Sequence, residues 1–264
     1  MKPPVVAGLD QIDWSRPWLA PLREHGERLA ERARQQGVVE ALNSDPRIAA
    51  VSLRAGRLRF VAQTALPAHE AYEAFIDRTA TVPARANLHD LFNGLMWLAH
   101  PALKRRLNEL QAQQIGAGAG GTDAGRRGAV RDALTLFDEN AALLQAPPVL
   151  VEALCRRAWH TLFITHRAAW AEARLTLFGH ALIDKLTRPR KPITAHVWVI
   201  PKGVDGACCT DLGARAQAFL LEALTPQRLA TRQYLPLPVL GVPGWWPDNE
   251  RPGFYDDAGV FRTP

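Results

Sequence analysis

The segment NLHDLFNGLMWLAHPALKRRLNELQAQQIG, from Asn87 onward, constrains the fold more than any other part of the chain. Leu88, Leu91, Leu95 and Leu98 recur at three- and four-residue spacing, which lays them along one stripe of a helix. Pro101 then withholds a backbone donor and suits the first turn of a new helix. The stretch 88–114 is therefore expected as a broken helix, with Asn87 as its N-cap. The same periodicity predicts helices over 18–43, interrupted at Gly37, and over 69–80. Others follow over 130–144, 149–166, 168–186 and 211–224, with Pro147 and Pro148 as breaks.

Two segments read as strands. Leu58, Phe60, Ala62 and Thr64 alternate with Arg59, Val61 and Gln63 before Pro67, and ITAHVWVIP at 193–201 is rich in β-branched and aromatic residues. The expected fold is an α+β, mainly helical single domain over 1–264, with a small β-sheet holding 58–64 and 193–200. An extended Pro/Trp-rich C-terminal tail should pack on the helical body. Otherwise Trp245, Trp246, Phe254, Tyr255 and Phe261 would expose a large apolar patch.

With 264 residues, 47% of them hydrophobic, the chain is long enough to bury one sizeable core. No apolar run approaches the ~20 residues of a membrane span. The opening MKPPVVAGLDQIDW has no signal-peptide core, and Asp10 and Asp13 come too early for a transit peptide, so the expected location is cytoplasmic. Cys155, Cys208 and Cys209 form no CxxC spacing and suggest neither a disulfide framework nor a cysteine zinc site. A net charge of +6 is mild, and the basic points at 104–106, 126–127, 156–157 and 188–191 read as solvated helix faces. A continuous stripe of them would instead suit RNA or an acidic partner.

Several familiar motifs fail on context. Gly116, Gly118 and Gly121 spell GxGxxG, but a polar helix precedes them where a strand is needed, so 116–128 reads as a flexible loop. No Gly-Lys pair exists for a phosphate loop. The only serines, Ser15, Ser44 and Ser52, rule out a GxSxG nucleophile elbow, and HExxH is missing.

Four constellations carry acid-base or ligand chemistry. In HDLFN, His89 and Asn93 share a helical face near Trp97 and His100, while a capping role for Asp90 is the plainer account. In RDALTLFDEN, Asp132, Asp138, Glu139 and Asn140 offer oxygen ligands for a divalent cation or an acid-base pair; the plainer account is a polar helix end. In LFGHALIDK, His180 and Asp184 are one turn apart, and Gly179 implies a close neighbour beside His180; an exposed surface pair is the rival. His196 shares a strand face with Thr194 and Trp198. It follows Lys185, Arg188, Arg190 and Lys191, which can neutralise an anionic substrate, although a lone strand histidine is usually structural.

The ordered set NLHDLFNGLMWL, RDALTLFDEN, LFGHALIDKL, PRKPITAH, PLPVLGVPGWW and FYDDAGVF resembles the bacterial domain of unknown function 3025 family from about residue 60 to the C-terminus. The resemblance implies one domain in the bacterial cytoplasm and carries over no activity, cofactor or partner. From the residues themselves, the leading expectation is an enzyme of hydrolytic or acid-base type acting on a small-molecule or anionic ligand. His89, Asp138, Glu139, His180 and His196 would converge as its catalytic residues, around a divalent metal. The alternative is a non-enzymatic module that binds RNA or an acidic partner through basic surface points.

Overall fold

The computed structural model describes residues 5–118, 128–201, 213–231 and 234–263. Most of the Gly-rich loop expected at 116–128, together with Cys208 and Cys209, lies outside them. The chain opens with α1 (Arg23–Gln36), α2 (Val38–Asn43) and α3 (Pro46–Ala50), then β1 (Ser52–Leu53), β2 (Gly56–Arg57) and β3 (Arg59–Ala62). The expected interruption falls at Gly37, whose φ of 87° ends α1 in a conformation that other residues rarely adopt. Next come α4 (Tyr72–Thr79), β4 (Thr81–Ala84), α5 (Leu88–Ala99), α6 (Pro101–Gly118), α7 (Ala129–Asn140) and β5 (Ala141–Gln145). The remaining elements are α8 (Pro148–Cys155), β6 (Arg174–Leu177), α9 (His180–Lys185), β7 (Thr194–Val199), α10 (Ala214–Ala223), α11 (Pro226–Ala230) and β8 (Leu235–Pro238).

The architecture is α+β and mainly helical, with small sheets that do not close. One expectation about them is corrected: 58–64 and 193–200 do not share a sheet. β3 pairs in parallel with β4, whereas β7 belongs to a four-stranded sheet of order β6-β5-β7-β8. In that sheet β5 runs parallel to β7 and antiparallel to β6, and β8 closes the far edge against β7. β5 and β6 had been absorbed into predicted helices. All five residues of β5 are buried, and a strand covered on both faces shows a continuous apolar run instead of alternation.

That strand divides two cores. Ala142 and Leu144 face a large core formed with α1, α2, α5 and the C-terminal segment, and Ala141 and Leu143 face a second one formed with α6, α7, α10 and α11. β7 splits the same way, with Ala195 and Val197 on one side and Trp198 on the other. The tail packs as its aromatic content requires. Phe254, Tyr255 and Phe261 are buried, and Trp245 lies 6.0 Å from Trp18 between ring centres. No described helix is long and apolar enough to cross a membrane.

Candidate metal and acid-base site

The site forms where α5, α7 and α9 meet at one end of the sheet. Asn87 caps α5 by accepting the Asp90 backbone N–H at 2.8 Å. The Asp90 carboxylate in turn accepts from Arg85, through the backbone N–H at 2.6 Å and the guanidinium at 2.9 and 3.1 Å. The first turn of α5 is thereby tied to the chain leaving β4, and His89 is held over a cavity.

α7 delivers the carboxylates, and a close backbone approach delivers His180. A Cβ on Gly179 would stand 2.5 Å from backbone atoms of Glu139 and Asn140, so only glycine lets the chain after β6 lie directly on the end of α7. The Gly179 N–H donates to the Ala141 carbonyl at 2.9 Å, which fixes the contact. The neighbour that the helix-weakening Gly179 implied is therefore the backbone of the carboxylate-bearing turn.

His180 is 3% exposed. Its Nε2 lies 3.2 Å from His89 Nε2 and 3.5 Å from Glu139 Oε2, and its Nδ1 faces Asp138 Oδ2 at 3.7 Å. One ligand atom from each of His89, Glu139 and His180 lies within 4.8 Å of the other two. Nitrogen and oxygen ligands about 2.0–2.2 Å from a zinc ion in a tetrahedron are roughly 3.3–3.5 Å apart; the 3.5 Å separation falls in that range, and the 3.2 Å contact between the two imidazoles, which is also within hydrogen-bond distance, falls just below it. His180 has no hydrogen bond at Nδ1, and Asp138 is the carboxylate that faces it.

Behind the cluster runs a buried polar chain. Lys104 donates to Asp138 Oδ1 at 2.5 Å and to Asn93 Oδ1 at 2.8 Å. Asn93 donates to the Tyr72 hydroxyl at 3.2 Å, and that hydroxyl donates to the Pro83 carbonyl at 3.3 Å. Lys104 is thus a correction: it is not part of a solvated face but is 4% exposed and pairs with a buried carboxylate.

The surroundings separate the titrating groups. Burial pushes the Asp138 carboxyl up, but the charge and hydrogen bond of the Lys104 ammonium outweigh it and hold it below the usual range. Burial lowers His180 to about 4 against the pull of Asp138, so its ring is neutral at pH 7. Glu139 is raised by burial and by Asp138, with His89 opposing. Glu73, on α4, is raised to about 7 by burial and by the Asp138 charge, against Lys104 and a 2.6 Å hydrogen bond from Asn108. These groups line a cavity of about 370 Å³ bounded also by Tyr72, Arg85, Gln111 and Arg131.

Four of the five residues expected to converge do so: His89, Asp138, Glu139 and His180. His196 does not, which corrects that expectation. It lies on β7, on the opposite side of β5 from the β6 end that carries His180, and packs edge-on against Tyr234 at 5.1 Å. The basic residues before it are engaged in the fold. Lys185 donates to Asn140, Arg188 to Gln11, and Lys191 pairs with Asp257. Lys104, Glu73 and Arg131 were not expected in the site. Lys104 falls one turn after Pro101 among other basic residues, and nothing local marks it as buried.

A model of the family described as "Protein of unknown function (DUF3025)" matches residues 58–264. The chain belongs to the DUF3025 family. No curated protein and no solved structure matches it. The residues matched to DUF3025 begin just before β3 and contain every member of the His89, Glu139 and His180 cluster. α1, α2 and α3 precede them and supply part of the large core.

Proposed function

We propose that the chain is a cytoplasmic bacterial enzyme that carries out metal-dependent hydrolysis of a small molecule, with His89, Glu139 and His180 holding one divalent cation, zinc first. The observation that carries the proposal is the ligand cluster: two imidazole nitrogens and a carboxylate oxygen within 4.8 Å of one another, on the wall of a cavity. Two histidines and one glutamate with a fourth position open is a catalytic zinc pattern, in which the ion polarises an oxygen of the substrate and acidifies bound water. Asp138 is the positioning residue for His180, and Lys104 keeps that carboxylate charged. Glu73, nearly balanced between its two forms at neutral pH, is placed on the same cavity to accept or return a proton.

Elemental analysis of the purified chain after zinc loading and desalting tests the proposal. About one metal per chain is expected, falling below a tenth in His180→Ala and His89→Ala, with His196→Ala unchanged. Unaltered metal content in the first two variants, at retained folding, overturns the assignment. A panel of ester, amide and phosphoester substrates then tests the reaction, with activity expected to vanish on chelation and return with zinc.

A further inference from the structure

The cavity has a second end. Along α7 the residues that line it are Arg131, Thr135, Asp138 and Glu139, positions one, two and just over two turns apart on a single helical face. Arg131 therefore stands on the order of 10 Å along the helix axis from the ligand cluster. Its neighbours differ sharply from those of the other cations on this wall. Arg85 is neutralised by Asp90, and Lys104 by Asp138. Arg131 has no ion-pair partner among the described residues, and its Nε is buried with no hydrogen-bond partner. A buried donor on a charged group is costly when it is left unpaired, and the cost is recovered when a ligand supplies the acceptor.

The charges around the cavity agree. Asp90 and Asp138 are paired inside the protein and Glu139 faces the proposed cation; Glu73, on the same lining, is held by Asn108, and no carboxylate among the described residues pairs with Arg131. A guanidinium presents a fork of N–H donors that matches the two oxygens of a carboxylate or phosphate. Gln111, itself 6% exposed, adds an amide to the same lining.

We propose that Arg131 is the anchor for an oxyanion on the substrate, a carboxylate or phosphate group, bound at the opposite end of the cavity from the cation. The inference deepens the hydrolase reading and rests on it for the identity of the reacting end; the oxyanion site itself needs no metal. The substrate is then an extended anionic molecule, with its charged group held away from the bond that is cleaved.

The test is titration of chelator-treated, metal-free protein with inorganic phosphate and, separately, with acetate, at constant ionic strength in chloride. Saturable binding of at least one of the two is expected, at one site per chain. Arg131→Gln should weaken it at least tenfold, Arg131→Lys should weaken it less, and Arg156→Gln, on an exposed arginine paired with Glu152, should leave it unchanged. The stronger of the two anions identifies the group. Equal affinities in the native protein and Arg131→Gln, or no saturable binding of either anion, overturn the proposal. Because metal is absent from this titration, loss of zinc binding in the elemental analysis and loss of anion binding here are separate results. Circular dichroism of Arg131→Gln confirms that the compared proteins are folded.

Discussion

The acid-base cavity and the aromatic C-terminal clasp are both densely packed, and they handle polar atoms in opposite ways. In the clasp, Phe163 stacks nearly parallel on Tyr255 at 5.1 Å, Trp170 at 5.8 Å and Trp159 at 6.2 Å. Every polar end in that stack is answered. The Trp159 indole donates to the Arg262 carbonyl at 2.8 Å, Trp170 to Leu162 at 2.9 Å and the Tyr255 hydroxyl to Gly241 at 2.9 Å. Asn249 donates to two carbonyls, those of Leu240 and Val242. At the cavity, carboxylates crowd one another, His180 Nδ1 has no hydrogen bond, and Arg131 Nε is buried without a partner. Burial with every donor satisfied builds stability, whereas unmatched donors and charges on a cavity wall are groups that a bound ligand can complete.

The sharpest way to break this contrast is Phe163→Ala, which empties the centre of the clasp and should cost about 3–5 kcal/mol. Urea unfolding reads the loss, while zinc stoichiometry in the remaining folded protein should be unchanged. An equal loss of zinc would mean that the two regions are one unit. On the cavity side, Lys104→Met leaves the Asp138 carboxylate buried without its partner and should also cost about 3–5 kcal/mol. Unlike the clasp variant, it should be rescued by replacing the partner as well: Lys104→Met with Asp138→Leu is expected to recover most of that stability and to lose metal affinity. If stability is not recovered, the pair is needed for the fold and not only for the site.

Glu73→Gln sharpens the contrast through pH. The folded-state pKa of about 7 lies above the ordinary glutamate value of 4.5, so the folded chain holds this proton more tightly than the unfolded chain. The native protein therefore carries no penalty from Glu73 below about pH 4.5 and the full penalty above about pH 7. Glutamine removes it while keeping an acceptor for Asn108. The variant should gain up to about 3 kcal/mol relative to the native chain at pH 8, and much less at pH 5. Denaturation midpoints at the two pH values check this, and a gain independent of pH would refute it. The smallest effect is expected from Tyr255→Phe, which deletes the hydrogen bond to Gly241 but keeps the stacked ring. About 1 kcal/mol should be lost, with no change in metal or anion binding.

The parts of the molecule legible in the sequence are those decided within a turn or two of chain. The N-cap at Asn87, the helix break at Pro101, the positive-φ stop at Gly37 and the packing of the aromatic tail all follow from local backbone chemistry or from apolar surface that has to be covered. His89, Asp138, Glu139 and His180 were recognisable as chemistry-bearing residues because polar groups interrupt strongly apolar patterns at those positions. Their joint location depended on Gly179, whose meaning appears only when the end of β6 lies against Asn140.

What the chain alone could not settle was decided by pairing across long separations. β5 is made of residues as suited to the helix before it as to a strand; its state follows from β6 on one side and β7 on the other. The same strand order separates His196 from His180, although His196 lies in β7 and His180 closely follows β6. Lys104 and Arg131 look alike in sequence, each an ordinary cation on a helix. One lies opposite the carboxylate of Asp138, 34 positions away, and the other opposite a cavity. Side-chain identity and helical periodicity are properties of neighbouring residues, so sequence carries them directly. Whether a charge ends beside a counter-charge or beside an empty space is a property of how helices pack, and only the tertiary structure determines it.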